Sequence, residues 1–289
     1  MDINESPIGD NMIPKIIHFC WFGGNPLPEL AQKCIASWRK YLPDYEIWQW
    51  SEGSHSLTLP SREGNCKKLY DRRMEFDMNI IPYTAEAYRQ KKYAFVSDYA
   101  RFWILYKYGG LYFDTDVDVI RPMDGIIARG NFMGFELNPD GENDPQRYAP
   151  RYAYAVNPGV GLGMEAGHPF LKRMLEKYAT LEYETPVFPW GKTIVAYTTE
   201  ELCELGLRNV LGIQQVKDIR VYPSEYFSPI DIVTSRLHVT DNTVSIHRFT
   251  GTWGDSRHHS WKEAVKAYLP EWLFYLNNRI KRRRYKIKK

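Results

Sequence analysis

Cysteine is scarce: Cys20, Cys34, Cys66 and Cys203 are the 4 in 289 residues, and no C-x-x-C pair occurs. Scattered thiols exclude a zinc ribbon or a disulfide framework and suit a reducing interior. Long apolar runs are absent as well. None approaches the roughly 20 residues that cross a bilayer, and Asp2, Glu5 and Asp10 stand where a signal peptide would carry its apolar core. The expectation is a cytoplasmic protein, at most peripheral at the inner face of a membrane. The glycine signatures of common nucleotide folds are missing. Gly161 and Gly163 are followed by Ala166, which breaks the G-x-G-x-x-G spacing. Gly191-Lys192-Thr193 ends like a P-loop, yet position 186 is proline where that loop requires glycine. No repeat and no long linker divides the chain, so a single domain over 1–280 is expected, followed by a basic tail over 281–289.

That tail decides how the net charge of +3 is read. Arg279 to Lys289 holds eight basic residues and no acid, so the rest of the chain is net acidic. Such a tail suits a solvated terminus or an anionic membrane surface. The body carries no basic stripe with interleaved aromatics, so no nucleic-acid partner is expected. What the chain has in abundance is aromatic side chains, with 9 Trp and 21 Tyr. That content suits a core, and also a ligand with a flat face such as a sugar or a base.

The most informative stretch is Ser97 to Asp118. Tyr99, Phe102, Trp103 and Tyr106 follow the apolar spacing of a helix, with Ser97 as its N-cap and Gly109-Gly110 as its stop. Asp98 and Arg101 stand one turn apart on one side of that helix. Leu111 to Phe113 reads as a short buried strand that delivers Asp114, Asp116 and Asp118 at alternate positions. Three acids so close raise one another's pKa. They either face water in a solvated turn or share a divalent cation, and an oxygen ligand set suits magnesium, manganese or calcium. An EF-hand is excluded, because its central glycine and twelfth-position Glu are missing.

Elsewhere, Ile13 to Gly24 reads as a buried first strand ending in a glycine pair, with Trp21 at its carboxyl end as a stacking or core residue. Helices are expected over 28–38, 67–78, 84–92, 168–179 and 261–280. Strands are expected at 46–50, 131–136, 219–222 and 245–249, a polar loop at 138–151, and a glycine-rich turn at 157–163.

Taken together, Ile13-Pro-Lys-Ile-Ile-His-Phe-Cys-Trp-Phe-Gly-Gly24, Ser97-Asp-Tyr-Ala-Arg-Phe102, Tyr108-Gly-Gly-Leu-Tyr-Phe-Asp-Thr-Asp116 and Ile246-His-Arg-Phe-Thr-Gly-Thr-Trp253 resemble the DXD-containing glycosyltransferases of family 32. That family includes bacterial capsular-polysaccharide enzymes and yeast initiating mannosyltransferases. The chain is more distantly similar to the glucosyltransferase domains of large clostridial toxins. The resemblance implies a GT-A type α/β fold, with a mixed, mostly parallel central sheet flanked by helices. It further implies a nucleotide-sugar donor, a divalent metal (manganese, with magnesium as the alternative) and retention of anomeric configuration. By the same resemblance, Trp21 stacks on uracil, Asp98 and Arg101 hold the donor sugar with Arg101 near the phosphates, and Asp114 contacts ribose and metal. Asp116 binds the metal directly, His247 is a late metal ligand, and Trp253 contacts the diphosphate. Asp118 is expected to be solvated. The implied reaction moves a sugar, from a UDP-sugar, to a glycan or lipid-linked glycan acceptor in bacterial surface polysaccharide synthesis. Alternatives are a GDP-mannose-type donor, a protein-modifying effector, or a non-catalytic metal- or carbohydrate-binding module.

Overall fold

The computed structural model describes residues 12–53, 69–141, 154–184, 193–231 and 236–250. In chain order its elements are β1 (Ile16–Cys20), α1 (Glu29–Tyr41), β2 (Glu46–Glu52), β3 (Arg72–Phe76), α2 (Pro82–Arg89), α3 (Tyr93–Tyr108), β4 (Gly110–Tyr112), β5 (Val117–Val119), α4 (Asp124–Ile127), β6 (Phe132–Leu137), β7 (Ala155–Val156), β8 (Leu162–Met164), α5 (Pro169–Ala179), α6 (Ile194–Leu205), β9 (Gln214–Val216), β10 (Ile219–Tyr222) and β11 (Ser245–His247). Nine strands form one sheet in the order β3-β2-β1-β4-β8-β6-β10-β9, with β7 paired to β6. β1, β2, β3, β4, β6 and β10 run one way, and β7, β8 and β9 run against them. β5 and β11 form a separate antiparallel ribbon.

The unbroken apolar run of β1 has a direct cause. It is a central strand, paired in parallel with β2 and β4, and its side chains enter two apolar clusters, so both of its faces meet core. Ile17 and Phe19 pack into the cluster that takes in α1, through Ile35 and Trp38. Cys20 faces the larger cluster, which gathers α2, α3, α5 and α6. The side chains of β4 divide in the same way, Leu111 to the first cluster and Tyr112 to the second. This is the mixed sheet between helices that was expected. Cys20, Cys34 and Cys203 are free thiols. Among the described residues no helix is long and apolar enough to cross a membrane.

The joint between α3 and β4 carries the design of the site. α3 is buried through most of its length, and it stops at Gly109 with φ +62°. A side chain there would strike Pro14 and the backbone of Ala166, while one at Gly110 would strike the Ile16 carbonyl. The two glycines thus turn the chain from helix into strand with no connecting loop. His18, fully buried on β1, locks the joint. Its Nδ1 accepts from the Trp50 indole at 3.1 Å, so its Nε2 carries the proton and donates to the Gly109 carbonyl at 3.0 Å.

Three expected elements differ, and one helix was not expected. Residues 72–76 are a strand, not part of a helix, because they pair in parallel with β2, and Arg72 lies over the Trp48 ring at 4.9 Å. Ser97 is inside α3, not at its cap. The helix begins four residues earlier at Tyr93, and the Ser97 hydroxyl donates back to the Ala94 carbonyl. The glycine-rich stretch is not only a turn, since Leu162–Met164 inserts as β8 between β4 and β6. α6 follows the rejected P-loop segment and went unforeseen. The expected helix over 261–280 and the basic tail lie outside the described residues, as does most of the expected loop over 138–151.

Candidate functional site

β1, β4 and β6 end at one edge of the sheet, and the acids gather there. Past β4, Phe113 N–H donates to the His18 carbonyl at 3.1 Å, and Asp114 N–H donates to the Gly159 carbonyl at 3.1 Å. Val117 N–H then closes a turn on the Asp114 carbonyl at 3.0 Å. After that turn β5 pairs with β11 in a register that sets Val117 opposite His247. The acids therefore converge through a turn, not along an extended ladder.

Asp116 is buried, and its two oxygens have separate partners. Oδ2 accepts from the Thr250 backbone N–H and hydroxyl, each at 2.9 Å, while Oδ1 lies 3.2 Å from Nε2 of His247. Burial would raise this carboxyl, but the hydrogen bonds from His247 and Thr250 outweigh it and hold Asp116 well below the ordinary carboxylate range. Burial would lower the His247 imidazole. Asp116, with Asp114 and Glu136 beyond it, raises it instead. Nδ1 of His247 is buried without a hydrogen-bond partner among the described residues.

Asp98 and Arg101 project from α3 into the same edge. Nη2 of Arg101 stands 3.2 Å from Asp98 Oδ1 and 3.3 Å from Asp114 Oδ1, and its Nε donates to the Ser97 carbonyl at 3.2 Å. The guanidinium also lies over the Tyr112 ring at 4.7 Å. Burial opposes its charge, yet Asp114, Tyr112 and Asp98 keep it firmly protonated. Burial pushes the Asp98 carboxyl up to about 7, with Arg101 pulling against the rise and Asp114 adding to it. Nη1 of Arg101 is buried and lacks a partner among the described residues. Leaving such a donor unpaired is costly, so its placement suits an anionic acceptor.

Trp21 follows β1 at this edge, half-buried against the core, with its indole N–H donating to the Asn25 carbonyl at 2.6 Å. It is not sealed in the interior. Asp118 departs from expectation: it is ion-paired with Arg248, not merely solvated. Trp253 lies outside the described residues.

Reading the sequence missed Glu136, Asn157, Gly159 and Thr250. Asn157 Nδ2 donates to Glu136 Oε2 at 2.6 Å, and its Oδ1 accepts from Gly159 N–H at 2.7 Å. Burial raises the Glu136 carboxyl, with His247 and Asn157 opposing the rise. Gly159 must be glycine, since a Cβ there would occupy the place of the Asp114 carboxylate and lie 2.9 Å from Arg101 Nη1. Asn157 and Gly159 open the glycine-rich stretch, and Thr250 lies within the block around His247. The Glu136 position carried no signal.

Two of the three expected ligands stand as a divalent cation would need them. Two donors held side by side on one cation at about 2.1 Å each stand about 3 Å apart. Oδ1 of Asp116 and Nε2 of His247 have that spacing, while among the described residues no third acid, histidine or cysteine brings a ligand atom within 4.8 Å of both, and Asp114 is instead turned to Arg101. Among the described residues the one set of three acid and histidine side chains with ligand atoms within 4.8 Å of one another is Glu165, His168 and Asp218, and it does not suit a metal. His168 Nδ1 accepts from the Phe170 N–H at 3.1 Å, so Nε2 carries the proton that faces Asp218 at 2.9 Å and is not free to bind a metal. That histidine caps α5.

Residues 28–133 match the family described as the glycosyltransferase sugar-binding region containing DXD motif. The matched region contains Asp98, Arg101, Asp114 and Asp116, and it stops short of His247. The chain is 27% identical over 154 residues to inositol phosphoceramide mannosyltransferase 1 of Schizosaccharomyces pombe (strain 972 / ATCC 24843), covering 53% of this chain and 44% of that protein. It is 28% identical over 192 residues to inositol phosphoceramide mannosyltransferase 3 of the same organism, covering 61% and 43%. The chain thus spans less than half the length of these relatives. Among solved structures, one titled PaToxG Glycosyltransferase superposes with a TM-score of 0.45 at 17% identity, over 67% of this chain and 70% of that one.

Proposed function

We propose that this chain, which carries the DXD-containing sugar-binding region of glycosyltransferases, moves a sugar from a nucleotide-sugar donor to a glycan acceptor with a divalent metal. The observation that carries the reading is the meeting of Asp116 Oδ1 and His247 Nε2 at 3.2 Å, beside an Arg101 whose buried Nη1 lacks an acceptor among the described residues. Asp114, Asp116 and His247 would hold the cation, for which manganese is our first choice. When bound, it supplies a Lewis acid that offsets the negative charge growing on the departing diphosphate.

The chain's own residues do the rest. Nη1 of Arg101 offers a charge-assisted hydrogen bond to a phosphate oxygen. Asp98, held by that same guanidinium, accepts from hydroxyls of the donor sugar. Trp21, at the end of β1, gives the base a surface to stack upon. Thr250 holds Oδ2 of Asp116, and Oδ1, which faces His247, would be the oxygen that turns to the cation. Trp253, which ends the block containing His247, is proposed to close on the diphosphate. The sugar passes through an oxocarbenium-like state, which the ring of carboxylates tolerates. We take the outcome to be retention, with attack from the face the leaving group vacates.

A UDP-sugar and a role in bacterial surface polysaccharide synthesis are the leading assignment. The mannosyltransferase relatives favour a second reading, a GDP-mannose donor. Thermal melting with UDP or GDP, each with Mn2+, separates them, because a ligand bound by the native state alone raises its melting temperature. The reading predicts a shift of several degrees with one nucleotide and Mn2+. No shift with either would count against it.

The acceptor is proposed to be a lipid-linked glycan met at a membrane surface. Beyond the basic tail, the loop before β9 supports this. Val210, Leu211 and Ile213 are exposed within four positions. Gln214, which follows them, pairs with Val221 near the carboxyl end of β10, placing the loop at the same edge of the sheet as the site. Asn209 and Asp140 exchange hydrogen bonds at 2.8 and 3.1 Å that tie it to the end of β6.

A further inference from the structure

Glu136 is a carboxylate in the interior edge of the site that the transfer scheme leaves without a task. Among the described residues its hydrogen-bond partner is the Asn157 amide, at 2.6 Å. That contact fixes which way the amide faces. With Nδ2 given to Glu136, Oδ1 of Asn157 must turn to the backbone, where it accepts from Gly159 N–H at 2.7 Å. The Gly159 carbonyl in turn accepts from Asp114 N–H at 3.1 Å, and its Cα lies so close to the Asp114 carboxylate that no side chain fits between. An unbroken chain of contacts thus runs from β6 to the first acid of the DXD turn. Asn157 is buried, so neither half of its amide can trade a lost partner for bulk water.

We propose that Glu136 is a positioning residue: by orienting the Asn157 amide it sets the Gly159 backbone on which Asp114 and Arg101 rest, and so fixes Asp114 toward the cation. This rests on the metal-dependent reading of the site. It differs from a simple charge effect, in which Glu136 acts on the cation through its negative charge and Asn157 is incidental. The two accounts part on the same substitutions: a charge effect weakens Mn2+ binding in Glu136→Gln and tightens it in Asn157→Asp, whereas positioning leaves the first nearly unchanged and weakens the second. Glu136→Gln removes the charge but keeps an oxygen that accepts from Asn157. Asn157→Asp keeps the acceptor for Gly159 and adds charge, but sets a carboxylate against Glu136. Combining the two substitutions rebuilds the contact in reverse, because the amide introduced at position 136 donates to the carboxylate introduced at position 157.

The test is a titration of the full chain with Mn2+ at about pH 8 in the presence of UDP or GDP, where exposed histidines are neutral and free to bind metal. Free Mn2+ is read by electron paramagnetic resonance, with thermal melting as a control for folding. Positioning predicts that Glu136→Gln binds Mn2+ within about 3-fold of the wild type. It predicts that Asn157→Asp weakens binding about 10-fold or more, the usual cost of losing an outer partner of a metal ligand, and that the double variant recovers most of that loss. Weakened binding in Glu136→Gln, or tightened binding in Asn157→Asp, overturns the proposal and leaves the function intact. If Asn157→Asp does not fold, the other two variants decide: both must bind as the wild type does. A wild-type chain that takes up no Mn2+ with either nucleotide overturns both this proposal and the reading beneath it.

Discussion

Nε2 of His247, on the last described strand, lies 3.2 Å from Oδ1 of Asp116 in the turn after β4. The ribbon of β5 and β11 brings them together, and among the described residues neither has a second ion-pair partner. Under the proposed function the pair supplies two of the cation's ligands. His247→Ala is expected to raise the Mn2+ concentration needed for half-maximal donor turnover about 10–100-fold, and to lower the melting temperature of the metal-free chain, because Asp116 loses its charged partner. A Mn2+ titration of turnover measures this. An unchanged metal requirement would remove His247 from the site.

Gly159 has no room for a methyl group between Asp114 and Arg101. Gly159→Ala is expected to fold, at a cost of about 1–3 kcal/mol from local overpacking, and to lose most donor turnover by displacing the Asp114 carboxylate. Urea unfolding and a nucleotide-release assay, run side by side, separate the two effects. Turnover within about twofold of the wild type would show that Asp114 tolerates the shift.

His18 gives the fold a pH dependence of defined sign. Burial holds its imidazole down at about 4, below the 6.5 of an exposed histidine, with the Gly109 carbonyl opposing. The contribution is fully present above about 6.5 and is lost as pH falls toward 4, because the unfolded chain takes up the proton first. Relative to His18→Gln, the wild type should lose about 2 kcal/mol between about pH 7.5 and about pH 5. Urea midpoints at the two pH values check this, and a difference that does not change with pH would contradict it.

The exposed trio Val210, Leu211 and Ile213 is expected to enter the interface of a bilayer. Replacing all three by Ser should reduce binding to anionic lipid vesicles several-fold in a flotation assay and leave soluble-donor hydrolysis unchanged. Equal flotation of the two proteins would remove the loop from the membrane contact.

Much of this was legible in the sequence because local chemistry and tertiary role agree. The glycine pair at 109–110, the alternate acids and the apolar run of β1 each have one physical use. Where they disagree, the sequence misleads. Residues 72–76 carry three charges in a strand because Arg72 and Arg73 find Glu46 and Ser51 across the sheet, and pairing of that kind leaves no periodicity to read. Ser97 looks like a cap, but the helix extends past it because Phe95 and Val96 have core to enter. Glu136 is invisible for another reason: its meaning comes wholly from Asn157, which reaches it only once β6 and the turn after β7 are folded together.

The most direct measurement concerns Asp116. A chain stripped with chelator is given a nucleotide-sugar, and release of nucleoside diphosphate is followed before and after Mn2+ is added, for wild type and for Asp116→Ala. The account predicts release by the wild type only after Mn2+, and a loss of more than about 100-fold in the variant, which should still fold, with a lower melting temperature because His247 and Thr250 lose their buried partner. Full release in chelator, or a variant that still responds to Mn2+ as the wild type does, would contradict it.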